Sequence, residues 1–344
     1  MKDIKSLTFD ELKTEVELMG EKSFRAGQIY SWMHEKLVTS FDDMSNIPAA
    51  LKEKLKGEYS YTVLKPVRKQ VSKVDGTVKY LFELPDGNRI ETVSMDYHHG
   101  HSVCISSQVG CRMGCAFCAS TLGGLVRNLT AAEMLEQIYG VTRDLDKRVD
   151  NIVIMGIGEP MDNYENVVRF IRMINSDKGL NLSVRNITLS TCGIVPGIKK
   201  LADEGLGITL ALSLHAVNDE KRRKIMPVAK SYTIAQLMDA VDEYFEKTGR
   251  RVTFEYSLIA GVNDTDEDVK GLAALAGGKR SAHVNLIPVN PVTEAGLKEP
   301  DRAAVQRFLQ KLTGMKVNAT VRRELGRDID GACGQLRRND NNIM

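Results

Sequence analysis

The sequence predicts an α/β protein built on an open, partial (β/α)6 TIM-like barrel. A small helical region and a β-hairpin segment precede the barrel. Three observations carry this. From about residue 101 onward, short apolar runs recur: HSVCISS, NIVIMGI, NITLSTC, ITLALSL, VTFEYSLI and HVNLIPV. Longer stretches with helical spacing separate them, over 130–147, 163–176, 194–205, 233–248 and 265–277. Strands alternating with helices imply βαβ units and a parallel sheet, and six strands suit an open barrel rather than a closed one of eight. Ahead of this pattern the chain follows two other periods.

Residues 1–60 read as helices and form a helical accessory domain. Ser6 and Thr8 precede Asp10 and Glu11, a helix start, and FRAGQIYSWMHEK carries apolar residues at helical spacing. Residues 61–96 alternate, are rich in Val, Thr and Tyr, and are broken at Asp75-Gly76 and Asp86-Gly87. Those dipeptides are hairpin signals, so this segment is a β-hairpin extension or linker. Residues 97–344 then make the barrel. A last strand-like run, VNATVRREL, leads into GRDIDGACGQLRRNDNNIM, which is Gly- and Asp-rich, lacks periodicity and reads as a loop.

Composition excludes several classes. The 344-residue chain is 42% hydrophobic and 27% charged, an ordinary globular balance. No run approaches the about 18 apolar residues of a membrane span. The first residues, MKDIKSLTFDELK, lack the apolar core of a secretory signal. The expected compartment is the cytoplasm, with no membrane partner, and there clustered cysteines more often bind metal or react than form structural disulfides. The net charge of +2 is uninformative about nucleic acid. Its distribution says more: Lys65, Arg68, Lys69, Lys73 and Lys79 fall in one segment, Lys221-Arg222-Arg223-Lys224 in another, and Arg322, Arg323, Arg327, Arg337 and Arg338 crowd the tail. Such clusters are either solvated faces or phosphate contacts.

Cys111, Cys115 and Cys118, in CRMGCAFC, follow the first barrel strand, where the loops of an α/β sheet form its ligand crevice. Gly110 and Gly114 let the backbone curl there. Structural zinc takes four closed ligands and favours two separated C-x-x-C pairs, whereas here no second pair exists. Three thiolates suit a [4Fe–4S] cluster with one iron open to a substrate, and the spacing favours it over zinc. Other strand ends carry polar groups. Gly158 and Glu159 lie in MGIGEP, Ser190 in LSTCG, Ser213-Leu214-His215 close the fourth strand, and Asn290 follows the sixth. Each alone is as readily a turn cap; a glycine leaves room for a ligand and a carboxylate accepts from an ammonium.

C-x3-C-x2-C with Phe117 before the last cysteine resembles the signature of radical S-adenosylmethionine (SAM) enzymes. In these the open iron holds the SAM amino and carboxylate groups, and reductive cleavage gives a 5′-deoxyadenosyl radical that abstracts hydrogen. The resemblance implies a radical SAM barrel, three cluster ligands in Cys111, Cys115 and Cys118, and SAM contacts from Gly158, Glu159, Ser190, Ser213, Leu214, His215 and Asn290.

Narrower motifs, SSQVGCRMGCAFCAS, RNLTAAEM, GIGEPMDN, LSLHAVNDEKRRKIMP, GVNDTDED, HVNLIPVNP and GRDIDGACGQL, are similar to the RlmN/Cfr family of RNA methyltransferases over nearly the whole chain. That implies methylation at C2 of an adenosine in the peptidyl-transferase centre of 23S rRNA, and of the adenosine 3′ of certain tRNA anticodons. It also implies two SAM per turnover and an electron donor such as flavodoxin or ferredoxin. C2 of adenine has no nucleophilic lone pair, so a carrier is needed, and a thiolate can take the methyl by displacement. In the family's pattern Cys333 is the methyl carrier, Cys104 the thiol that releases the product with a transient disulfide bond, and Glu91 the base. On residues alone Cys104 and Cys192 also read as small buried hydrophobes, and Glu91 as a strand-face carboxylate. Two rivals stand beside this reading: a C8 methyltransferase of the same family, against which Pro160 and the tail motif weigh, and a non-catalytic, zinc-stabilised RNA-binding protein.

Overall fold

The computed structural model describes residues 1–277, 282–290, 292, 294 and 296–337. Its backbone is a ten-stranded sheet whose strands lie side by side in chain order. We number them β1 Lys65–Val71, β2 Val78–Glu83, β3 Arg89–Tyr97, β4 Gly100–Cys104, β5 Asn151–Ile154, β6 Ile187–Thr191, β7 Thr209–Ser213, β8 Thr253–Leu258, β9 His283–Pro288 and β10 Ala319–Val321. From β4 to β10 every neighbouring pair is parallel. The six expected barrel strands are all present, and the strand-like run near 320 adds β10 as a short seventh.

The hairpin segment continues this sheet. β1, β2 and β3 are antiparallel, and β3 pairs antiparallel with β4, so the barrel and the hairpin share one hydrogen-bonded surface. Its turns form where the sequence breaks: Asp75 Oδ1 accepts from Thr77 N at 2.9 Å, and Asp86 Oδ1 from Asn88 N at 3.1 Å. Both are Asx-type turns completed by a left-handed glycine.

The crossover helices begin where their caps dictate. Thr130, Thr233 and Thr265 cap Ala131–Leu145, Ile234–Thr248 and Asp266–Ala276, each in a reciprocal capping box with the residue three positions on. Helix Ala131–Leu145 buries Leu135, Ile138 and Tyr139 against the sheet. Each fully buried side chain of this size stabilises by about 1.5–3 kcal/mol. Two further helices, Asp219–Ile225 and Arg302–Gly314, complete the sets before β8 and β10; short or interrupted apolar spacing hides them in the sequence.

The first 60 residues hold helices Phe9–Leu18, Phe24–His34 and Ala49–Glu58 around their own core of Leu12, Ile29, Tyr30, Met33, Leu51 and Leu55. Thr8 caps the first of these, as expected. A buried ion pair fastens this region to the barrel: Lys5 Nζ lies 2.6 Å from Glu136 Oε1, with Arg143 2.8 Å from the other carboxylate oxygen.

The basic clusters divide between exposed side chains, ion pairs and the interior. Arg222 is buried and donates to the carbonyls of Cys192, Ser213 and Leu214. Lys221 pairs with Asp268 and Lys224 with Glu220. Arg327 pairs with Glu299 and Arg337 with Glu294, while Arg322 turns inward. Arg338 lies outside the described residues. In the hairpin segment, Lys65 and Lys73 stay exposed but Lys79 is buried against Glu91. No described helix is long and apolar enough to cross a membrane.

Candidate active site

The three clustered cysteines occupy the tip of a ribbon made by Gln108–Gly110 and Leu125–Asn128. Gly110 closes that ribbon at φ 77°, where a Cβ would sit 1.9 Å from the Gly124 carbonyl oxygen. Only glycine fits. The loop is tied down on both sides: Ala116 N donates to Ile225 O at 2.9 Å and Ala119 N to Gly334 O at 2.8 Å.

Cys111, Cys115 and Cys118 line a cavity at the carboxyl ends of the barrel strands. Gly158 and Glu159 come into it from the end of β5, and Ser190 from β6. Ser213, His215 and Asn290 complete the predicted polar series. Leu214 is the exception: its side chain is fully buried and does not line the cavity. Gly158, at φ 109°, packs its α-carbon where a Cβ would meet Gln108 Cβ at 2.6 Å, so it also holds the ribbon against β5.

Each polar group is oriented. Glu159 Oε2 accepts from Cys192 N at 2.7 Å and Oε1 from Met161 N at 3.0 Å. Burial raises its carboxyl above the ordinary range, and the two N–H donors offset only part of that. An ammonium would restore its charge. His215 Nδ1 accepts from Ser257 N at 2.8 Å, so the ring's proton sits on Nε2. Burial drives this imidazole down to about 3, and it is neutral at physiological pH. Phe117 packs on it edge to face at 4.6 Å between centroids. Ser190 and Ser213 share a hydrogen bond at 3.3 Å.

Cys333 lines the same cavity and also a second one, which Cys104 enters from the end of β4. The sequence places these two cysteines 229 positions apart, and the fold brings both to one space. The loop carrying Cys333 is pinned at several points. Asn290 Nδ2 donates to Cys333 O at 2.9 Å, Ser120 Oγ to Leu336 O at 2.9 Å, and Arg337 N to Glu91 Oε2 at 2.7 Å. Burial pushes the Cys104 thiol up to about 12, Cys333 adds to this, and Arg322 opposes it.

Glu91 lies outside the residues lining either cavity. It is buried on β3, paired with Lys79 at 3.0 Å and holding the Arg337 backbone. All six cysteines are free thiols, so the disulfide expected from the resemblance is not a bond of this structure. Cys192 is buried, as its sequence context suggests, yet its backbone N–H orients Glu159. Sequence reasoning missed Arg322 and Glu255, which also line the main cavity. In the sequence Arg322 stands among the tail charges, and only its position just past β10 marks it as interior.

The donor set fits an iron–sulfur cluster. Three soft thiols from one loop face a cavity with a pre-oriented carboxylate. Among the described residues no three His, Cys, Asp or Glu side chains converge as the ligands of one metal ion do. Asn290 Oδ1 is buried without a partner in the same wall, an acceptor available to a ligand.

The Radical SAM superfamily pattern matches residues 105–275, and that of the ribosomal RNA large subunit methyltransferase N-terminal domain matches residues 2–60. A protein of Lachnospira eligens named probable dual-specificity RNA methyltransferase RlmN is 58% identical over 98% of this chain and 96% of its own. One of the same name from Lachnoclostridium phytofermentans is 59% identical over 98% of this chain and 94% of its own. The chain belongs to the RlmN family. The crystal structure of a radical SAM methyltransferase from Sphaerobacter thermophilus superposes with a TM-score of 0.94 at 43% identity, over 98% of this chain and 100% of that one. The chain is thus a radical SAM methyltransferase of the RlmN family, and that superfamily implies a [4Fe–4S] cluster and SAM.

Proposed function

We propose that this RlmN-family enzyme methylates C2 of adenosine in 23S rRNA and in tRNA, with Cys333 as methyl carrier. The observation that carries the reading is the place of Cys333, which lines both the thiol-ringed cavity and the smaller one it shares with Cys104. The curated relatives named as dual-specificity RNA methyltransferases support the substrate class.

Cys111, Cys115 and Cys118 would hold the [4Fe–4S] cluster, and Glu159 would receive the SAM amino group. Gly158, Ser190, Ser213, His215 and Asn290 would line the rest of the SAM site, with the Leu214 backbone between. When bound, cluster and SAM supply an electron and a hydrogen-abstracting 5′-deoxyadenosyl radical. Neutral His215 adds no charge to repel the sulfonium. Cys333, as thiolate, accepts a methyl group by displacement. Its pinned loop keeps that sulfur at the cavity wall while it carries carbon to the RNA base. Cys104, as thiolate, then attacks the Cys333 sulfur and forms a transient Cys104–Cys333 disulfide, which a thiol reductant must reopen before the next turnover. The carbon–sulfur bond breaks, its electron pair stays with the carbon attached to C2, and a proton completes the methyl group. Glu91 is proposed as the base that removes the C2 proton; from its observed pairing it would have to exchange Lys79 for the substrate. We further propose residues 1–60 and the hairpin as the RNA-binding surface, a flavodoxin- or ferredoxin-type reductant, and a cytoplasmic setting.

The test is anaerobic reconstitution with iron and sulfide, then SAM, reductant and an rRNA fragment, with the product adenosine located by mass spectrometry. 2-Methyladenosine is the expected product. 8-Methyladenosine would assign the chain to the C8 reaction, and unmodified RNA from a brown, SAM-cleaving protein would overturn the reading.

A further inference from the structure

Arg322 is a largely buried cation with only loose partners among the described residues. It stands just past β10, its backbone N–H donating to Leu286 O at 2.8 Å, and its side chain is 19% exposed. A guanidinium has five N–H donors. Here Nη1 lies 3.4 Å from Met155 Sδ and 3.7 Å from Glu255 Oε2. The second distance is long for a hydrogen-bonded ion pair, and Asn285 already donates to that carboxylate at 3.0 Å. A desolvated charge is costly until an anion meets it. Two thiols share its cavities: Cys333 lines both, alongside Met155, Ile287 and Asn290, and Cys104 lines the smaller.

We propose that Arg322 is a positioning residue that serves as counter-ion to the thiolate of Cys104 once Cys333 has become a thioether. The inference rests on the carrier reading of Cys333 for its place in the reaction, but not for its electrostatics. While Cys333 is a free thiol, the two sulfurs compete for one cation, and the Cys104 thiol stays high. Alkylation of Cys333 removes its capacity for charge. Arg322 is then left to Cys104 alone, so the releasing thiolate forms when there is something to release. Tyr97, Arg323 and Glu324 also face this space, and Glu255 faces Arg322 from β8. Glu255, at 3.7 Å from Arg322, already accepts from Asn285, and Tyr97 stays neutral because burial raises its hydroxyl.

The experiment follows modification of Cys104 by a small methanethiosulfonate against pH in cluster-loaded protein, read by peptide mass. Cys333→Ala stands in for the thioether. It is expected to move the Cys104 profile to lower pH, with modification about tenfold or more faster at a fixed pH below the midpoint. Adding Arg322→Met or Arg322→Gln should reverse that shift, and Arg322→Lys should keep it, provided each variant retains the cluster absorbance. An unmoved profile in Cys333→Ala overturns the proposal without any change at Arg322. Equal shifts for Lys, Met and Gln also overturn it, by showing a shape effect without charge. A second arm follows the RNA–protein adduct on denaturing gels. Arg322→Met should accumulate it and Arg322→Lys should not. Absence of adduct even in Cys104→Ala would instead sink the carrier reading and leave the thiol measurement standing.

Discussion

Asn290 reaches from the end of β9 and donates Nδ2 to the carbonyl of Cys333 at 2.9 Å. One side chain thus belongs to the wall that would receive SAM and to the loop that would receive its methyl group. Asn290→Ala is expected to lower methylation of Cys333 by tenfold or more, since small displacements of a reacting atom cost rates of this size. The measurement is the mass of the Cys333 peptide after incubation with SAM. Wild-type loading in the variant would show that the loop keeps its place without this bond.

Loss of any one thiol of Cys111, Cys115 or Cys118 by substitution with Ala should remove the brown absorbance and SAM cleavage together. Three thiolates are the fewest that leave one iron open. A variant that still bound a full cluster and released 5′-deoxyadenosine would refute the ligand set.

Carrier and releasing thiol should separate on a denaturing gel. Cys104→Ala is expected to stall as a covalent RNA–protein band, while Cys333→Ala and the double variant show none. Both single variants should stay brown. Identical gels would mean the roles are wrongly assigned.

The joint between the N-terminal helices and the barrel should weaken in acid. Burial alone would raise the Glu136 carboxyl, but Lys5 and Arg143 outweigh it and hold it below the ordinary carboxylate range. Its contribution is therefore full above the unfolded value near 4.5 and is lost as pH falls through the lower folded one. Lys5→Met, which strands a buried carboxylate, is expected to cost about 3–5 kcal/mol in urea unfolding at neutral pH. It should also reduce the acid sensitivity seen in the parent.

Charge reversal at the exposed Lys65 and Lys73 is expected to weaken RNA binding and to flatten its salt dependence, by about 0.7–0.9 in log–log slope per lost phosphate contact. Filter binding across a salt series measures it. Equal slopes would detach the hairpin from RNA recognition.

Much of this site was legible because its parts announce themselves locally. A three-thiol loop, glycines that admit no Cβ, and polar residues at successive strand ends are patterns of short range. What stayed hidden depended on distance. Nothing near Arg322 distinguishes it from Arg323, yet Arg322 lines both cavities and Arg323 only the smaller. The basic run at 221–224 divides for the same reason: Arg222 and Arg223 are adjacent in a helix and face opposite environments. The hairpin's turns were clear from Asp-Gly, whereas its continuity with the barrel rests on the β3–β4 pairing, which its turns do not predict.

The loop bearing Cys333 also has a place in time. It is strapped to the hairpin by bonds spanning very long loops: Lys73 N to Asp328 over 255 residues, Gly326 N to Asp75 over 251, and Arg337 N to Glu91 over 246. Contacts of such separation form last, and a chain leaving the ribosome N-terminus first completes its early strands well before them. During synthesis the thiol nest and most of the barrel therefore exist before the carrier sulfur does. A nascent or truncated chain could assemble the radical-generating half of the site while still lacking the means to pass carbon to RNA. Because the carrier follows every barrel strand in the chain, its own synthesis is the arming step.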